Sequence, residues 1–446
     1  MAAQGFPDGF VWGAATSAYQ IEGSVRADGR GESIWDRFSH VAGNVLGEDT
    51  GDVACDHYRR WRDDISLMRE LQLNAYRFSI AWPRIVPTGS GAVNGAGIDF
   101  YDRLVDELLE ADIAPWPTLY HWDLPQPLQD AGGWPNRATV DRFLDMVDVV
   151  TRRLGDRVSH WMTINEPLIA GHFGHSLGIH APGLRSWRAG LAASHHMLLA
   201  HGRAVDIVRT NAGGADVGIV INPMPAIPAD DSQAAADAAE RWDGIANRWY
   251  LQALSGRGYP DDVRELFSDD APDVRDDDLT VIAAPTDFLG VNYYAPMYVA
   301  AGPAPTGVAF AGPPPDIAVT GLGWPIQPEV FLFTLRRIQD EFYPGPIVIA
   351  ENGAAFPDPP VDGGRVAVGD RIDYLASHLD AVWRAIDGGI PVRGYFPWSL
   401  LDNFEWANGY GTRFGLVHVD YATQERTIKE SGRWYADVVA GNELRG

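Results

Sequence analysis

Two glutamates stand where an acid needs a reason. Glu166 stands fourth in TINEP (163–167) and Glu351 closes the apolar run of PIVIAENG (346–353), each with turn residues directly behind it. An ionised carboxylate buried without partners is expensive, so an acid ending a β-branched run is either solvated or held for chemistry. Two such acids facing one another suit the cleavage of a glycosidic bond. One protonates the leaving oxygen while the other meets the positive charge developing at the anomeric carbon.

Elements must bring these acids together. Short β-branched or apolar runs at 10–16, 74–82, 113–122, 158–166, 216–222, 287–294, 346–352 and 391–399 alternate with amphipathic stretches at 57–72, 98–111, 137–154, 190–210, 235–254, 328–342, 371–387 and 428–440. Eight βα units predict an α/β fold, one (β/α)8 TIM barrel whose long βα loops form the active-site mouth. No low-complexity linker divides residues 1–446, so a single domain is expected, with AGPAPTGVAFAGPPP (301–315) as a long loop. The predicted strand ends carry Arg77, His121 with Trp122, Asn165 with Glu166, Asn222, Asn292 with Tyr294, Glu351 with Asn352, and Trp398. Singly, Arg77 reads as an ion-pair partner, His121 as a core histidine and Trp398 as core filler. Their joint position at one mouth is what core packing does not explain.

Composition narrows the chemistry further. The chain of 446 residues is 46% hydrophobic, has no apolar run long enough for a membrane helix, and begins MAAQGFPDGFVWG without a basic, apolar leader. A soluble, unexported, cytoplasmic protein is expected. Cys55 is the only cysteine, which excludes an internal disulfide framework or a thiolate zinc cluster within one chain. A net charge of −25 disfavours nucleic-acid and membrane partners. Lys429, in TIKES, is the only lysine and lies at no strand end, so Schiff-base chemistry is disfavoured. Twelve histidines are scattered, with HFGH (172–175) in a predicted loop and SHHMLLAH (194–201) in a predicted helix, so a metal-dependent hydrolase lacks its ligand spacing. No cofactor or metal is expected, and a homo-oligomer is compatible with the sequence.

The motifs TINEP and AENG, with FVWGAATSAYQIEG (10–23), AYRFSIAWPRI (75–85), YHWDLPQPL (120–128) and WSLLDNFEWANGYGTRFGLVHVDY (398–421), together resemble glycoside hydrolase family 1, the β-glucosidase family. The resemblance covers nearly the whole chain. It implies a retaining exo-β-glycosidase acting on terminal non-reducing β-D-glucosyl residues, with tolerance for β-galactosides and β-fucosides. Such an enzyme serves cellulose and other polysaccharide breakdown, on small oligosaccharides or aryl and alkyl β-glycosides. Glu166 is then the acid/base and Glu351 the nucleophile, their carboxyl groups about 5–5.5 Å apart. Physical reasoning agrees: Arg77 and Tyr294 could donate to Glu351 and keep it ionised, while the nearby charge would hold Glu166 protonated.

Hexose hydroxyls and the apolar ring face call for amides, carboxylates and imidazoles beside indoles. Gln20, His121, Asn165 and Glu405 match the first need, and Trp122, Trp398 and Trp406 the second. By resemblance, Asn292 and Tyr294 join them. Toward the leaving group, Trp324 looks like a platform, with Asn222, His180, Leu168, Phe173 and Phe414 around it; Leu168 departs from the family's usual Trp. Family members acting on 6-phosphorylated sugars are expected to carry Ser, Lys and Tyr where this chain has Glu405, Thr412 and Phe414, which disfavours a 6-phospho-β-glycosidase. The presence of both acids argues against a non-catalytic sugar-binding barrel. A further departure is Ala350 where Thr is usual. Strict strand alternation would turn residue 350 toward the helices if Glu351 points inward.

Overall fold

The computed structural model describes residues 4–445. Eight strands form the barrel: β1 Val11–Trp12, β2 Ala75–Ser79, β3 Ala114–Tyr120, β4 His160–Asn165, β5 Asp216–Ile221, β6 Phe288–Tyr293, β7 Ile347–Asn352 and β8 Val392–Pro397. They lie in parallel in the order β1-β8-β7-β6-β5-β4-β3-β2. Ala15 closes the ring by bridging to both Arg77 and Trp398. The outer helices are α1 His57–Glu70, α2 Gly95–Glu110, α3 Ala138–Leu154, α4 Trp187–Asn211, α5 Gln233–Asp243, α6 Pro328–Arg337, α7 Gly369–Asp387 and α8 Glu430–Gly441. One helix follows each strand, which is the (β/α)8 TIM barrel that the pattern predicts.

The periodicities explain the layers. In α3, Val140, Phe143, Leu144, Val147, Val150 and Leu154 recur at helical spacing and are all buried. Strand residues of the other parity, among them Tyr76, Trp161, Ile219, Val291 and Ile349, join the helices in one large outer core. A smaller cluster of Ala75, Trp116, Met162, Val220, Phe288, Val348 and Phe396 takes side chains from the strands and fills the barrel itself.

Several local expectations need correction. β1 is two residues long rather than seven, with only the Ala15 bridge continuing it. The stretch 301–315 is not all loop: Val308–Ala311 pairs antiparallel with Met297–Ala301, and Phe310 packs edge-on against Trp242 at 4.8 Å. That pairing gives the β-branched and aromatic residues of VAF a partner which the surrounding Gly and Pro residues concealed. HFGH is not in a loop either. Ile169–Ser176 is a π-helix, whose wide turns let His175 Nδ1 reach the Ala170 carbonyl (2.8 Å) and His172 Nδ1 the Ser176 hydroxyl (2.9 Å). No helix among the described residues is long and apolar enough to cross a membrane.

Candidate active site

β4 and β7, at whose C-terminal ends the two acids stand, share an irregularity. On β4 the register slips between Met162 and Asn165, and on β7 between Ile349 and Glu351. Each slip is a β-bulge, one residue more than the neighbouring strand, and a bulge re-aims the side chains beyond it. This overturns the alternation argument for Ala350. Both Ala350 and Val348 belong to the inner cluster, with Trp398 and Phe414, and Glu351 still turns to Arg77. Behind the acid, Gly353 allows close approach: a Cβ there would lie 2.0 Å from the Trp398 carbonyl oxygen.

Glu351 is held by donors of two kinds. The Arg77 guanidinium, itself wholly buried, donates to Oε1, and the Tyr294 hydroxyl donates to Oε2 at 2.5 Å. Burial and the charge of Glu351 push the Tyr294 phenol well above its usual range, so it remains a donor. Arg77 also donates to the Ala350 carbonyl (3.1 Å), to Asn165 Oδ1 (2.6 Å) and, through Nε, to the Met162 thioether (3.1 Å). Met162 was not foreseen, since nothing in a sequence marks an apolar residue as an acceptor.

Glu166 has a different setting. Among the described residues its only side-chain partner is an amide, Asn292 Nδ2, which donates to Oε1 at 2.6 Å and also to Asn165 Oδ1 at 3.1 Å. Burial, and next the charge of Glu351, raise the Glu166 carboxyl well above the ordinary carboxylate range. Its backbone is left-handed at φ 48°, as is that of Trp122 (77°) and Trp406 (50°). Such non-glycine conformations cost roughly 1–3 kcal/mol each and persist only where the surroundings impose them.

The remaining polar groups form one network. Asn165 Nδ2 meets His121 Nε2 at 3.1 Å, and the Trp122 indole donates to the Asn165 carbonyl at 2.9 Å. Burial and Arg77 push His121 well below its usual range, so the ring is neutral. With Nε2 accepting from Asn165, the proton falls to Nδ1, which has no partner among the described residues. Gln20 accepts from Ser17 (2.5 Å) and donates to Asn403 Oδ1 (3.0 Å) and to the Phe404 carbonyl (2.9 Å). Glu405, approached by the Trp398 indole at 3.4 Å, is raised to about 8 by burial against the pull of that donor. The rings of Trp122 and Trp406 lie 4.7 Å apart, with Trp35 at 4.5 Å from Trp406, and His121 is nearly parallel to Trp398 at 6.0 Å.

Trp324 lies 5.7 Å from Tyr294 and 6.1 Å from Phe414, while His180 lies 5.6 Å from Phe173 and packs also against Trp35 (5.4 Å) and Trp122 (5.8 Å). Leu168 and Asn222 are both buried and line a cavity of about 10 Å³ with Pro167, Ala246, Asn247 and Tyr250; the helical turn after Pro167 folds Leu168 into the outer core.

A TIM barrel with two buried, differently held glutamates on strands β4 and β7, ringed by amides and indoles, has the layout of a two-carboxylate carbohydrate hydrolase. The model for glycosyl hydrolase family 1 matches residues 2–444, and the chain belongs to that family. It is 47% identical to beta-glucosidase A of Thermotoga maritima over 98% of both chains. It is 46% identical to a bifunctional beta-D-glucosidase/beta-D-fucosidase of Bifidobacterium breve over 99% of both. Among solved structures, the family 1 β-glucosidase from Thermotoga maritima superposes with a TM-score of 0.96 at 46% identity, each chain covered completely. A Thermotoga maritima family 1 glycoside hydrolase complexed with a cyclophellitol analogue, described as a transition state mimic, gives 0.96 as well.

Proposed function

We propose that this protein is a retaining exo-β-glycosidase, a β-glucosidase, with Glu351 as nucleophile and Glu166 as acid/base. The observation that carries the reading is the asymmetry between the two acids: Glu351 has a buried guanidinium and a phenol donating to it, and Glu166 has an amide, deep burial and a raised proton affinity. In the first step Glu351 attacks the anomeric carbon from the face opposite the leaving group. The bond to the aglycone oxygen breaks with its electron pair, and Glu166 gives that oxygen its proton. Glu166, now a carboxylate, takes a proton from water; the water oxygen displaces Glu351, so two inversions return the β configuration.

The glycone rests on the same reading. Asn165, Asn292, the free Nδ1 of His121, Gln20 and Glu405 meet the hydroxyls, while Trp122, Trp398 and Trp406 wall the ring. Trp324, Phe414, Phe173 and His180 receive the aglycone; Leu168 and Asn222 act beneath that surface. Relatives named beta-glucosidase and beta-D-glucosidase/beta-D-fucosidase support glucosides first, with fucosides tolerated. A 6-phosphoglycoside would set its dianion against Glu405, and the one lysine is buried among carboxylates elsewhere. We read residues 1–446 as one domain working on small glycosides in the cytoplasm, the charge of −25 keeping nucleic acid and anionic membranes away.

Assay of Glu166→Ala and Glu351→Ala with an aryl β-glucoside tests the assignment. Both should lose at least about 10³-fold in turnover, and azide should rescue the two variants to azides of opposite anomeric configuration, inverted for Glu351→Ala. Full activity in either variant would falsify the roles.

A further inference from the structure

The one lysine of the chain remains outside the chemistry above. Lys429 stands just before α8, far in sequence from either acid, and its side chain is wholly buried. Its Nζ lies 2.5 Å from Asp358 Oδ2 and 2.6 Å from Asp402 Oδ1, and both carboxylate side chains are almost sealed from water. Asp402 further accepts from Arg413 (2.7 Å) and from the Gly415 backbone N–H (2.9 Å). Asp358 pairs with Arg371, at 3.2 Å. His418 Nδ1 is 3.6 Å from each aspartate. Asp358, Asp402 and His418 come close enough together to hold a metal ion, but the ammonium already stands between the two carboxylates.

The two aspartates belong to different active-site loops. Asp358 lies seven residues beyond Glu351, in the loop leaving β7, and Asp402 lies three residues before Glu405, in the loop leaving β8. Arg371, in the first turn of α7, binds across the same seam: it donates to the Ala354 and Phe356 carbonyls of the first loop and to the Arg413 carbonyl of the second. Beside Asp402, Asn403 receives the Gln20 amide (3.0 Å) and donates to the Ser399 hydroxyl (3.0 Å). A point charge that touches both carboxylates thus fixes one loop relative to the other. Burial makes that tie stiff, because neither aspartate has water to turn to.

We infer that Lys429 is a positioning residue for sugar recognition, clamping the Glu405 loop to the loop behind Glu351 through Asp402 and Asp358. The inference rests on the reading of Glu405 as a hydroxyl ligand at the position-6 end of the glycone. It predicts that disturbing Lys429 alters selection at that end of the sugar, beyond any loss of stability.

Two variants test this. Lys429→Arg keeps the charge, but its wide planar head cannot occupy the same point between both carboxylates. Lys429→Met combined with Asp358→Asn removes one charge of each sign and leaves Asp402 paired with Arg413 and Arg371 held by the Ala354, Phe356 and Arg413 carbonyls. For each, kcat and KM are measured on an aryl β-glucoside and on the matching aryl 6-deoxy-β-glucoside, together with the melting temperature. The expected result is a fall of about tenfold in the ratio of the two kcat/KM values, the scale of one lost hydroxyl contact. A purely structural lysine would move melting and leave the ratio alone, so a folded variant of either kind with the wild-type ratio overturns the inference. Wild-type enzyme that hydrolyses neither substrate would instead contradict the functional reading, and this inference with it.

Discussion

Glu166 and Glu351 are the same residue type in equally buried places, and their partners alone divide the labour. A guanidinium favours a carboxylate and a lone amide does so weakly, so the proton of the pair is held at Glu166. Two predictions belong here. As pH rises through its elevated value Glu166 loses its proton, so kcat/KM for an aryl glucoside should fall on the basic side; Glu166→Gln should abolish that limb in its residual activity. In Glu351→Gln the second largest cause of the shift is gone, so Glu166 should titrate lower, though burial still holds it above an ordinary glutamate. Infrared or NMR titration of the labelled carboxyl checks this, and an unmoved value would mean that Glu351 does not act on it. The acids, Arg77, Tyr294 and the indoles were legible because charged and aromatic groups at strand ends stand out. The Met162 acceptor and the Asn403 partner of Gln20 were not, because their roles depend on contacts between distant segments.

Strands and their bulges govern the next scale. A period of two describes β7 through Ala350, inside with Val348, Trp398 and Phe414, and then fails, since the extra residue turns Glu351 inward beside it. No sequence pattern marks a bulge made without glycine, whereas amphipathic helices such as α3 and α7 announced themselves to within a few residues. Ala350→Thr should therefore act on the site as well as on packing. A hydroxyl and a methyl added to a filled interior cost about 1–3 kcal/mol, read by urea unfolding, and displacement of Trp398 should change KM several-fold. Unchanged kinetics with lowered stability would restore the simple alternation. Local geometry places Leu168 as well: the helical turn following NEP folds it into the core.

Over the whole molecule, repetition made the barrel readable, since eight βα units leave few other topologies. What repetition could not reveal is how much ionisable chemistry the fold buries. Burial pushes His172 and His201 down to about 3, and His175, His180 and His378 down to about 4. These rings are neutral in the folded state and titrate near 6.5 once unfolded, so unfolding takes up protons and stability is lost as pH falls below about 6.5 toward 4. Glu166 and Glu405, raised in the fold, act in the opposite sense, so the test is a difference. Replacing His201 by Leu should lessen the loss of stability between pH 7.5 and 5 relative to wild type, and an unchanged pH dependence would contradict the burial of that ring. Lys429 offers a second global readout. An amine-acylating reagent should leave it unlabelled in the native protein and label it once denaturant unfolds the chain, as peptide mass spectrometry reports; native labelling would contradict the closed ion cluster.

The assignment of roles to the two glutamates is tested most directly by trapping the enzyme with an aryl 2-deoxy-2-fluoro-β-glucoside and mapping the adduct by peptide mass spectrometry. A single glycosyl group on Glu351 is the predicted result. A label on Glu166, or prompt release of an α-configured sugar with no adduct, would contradict it.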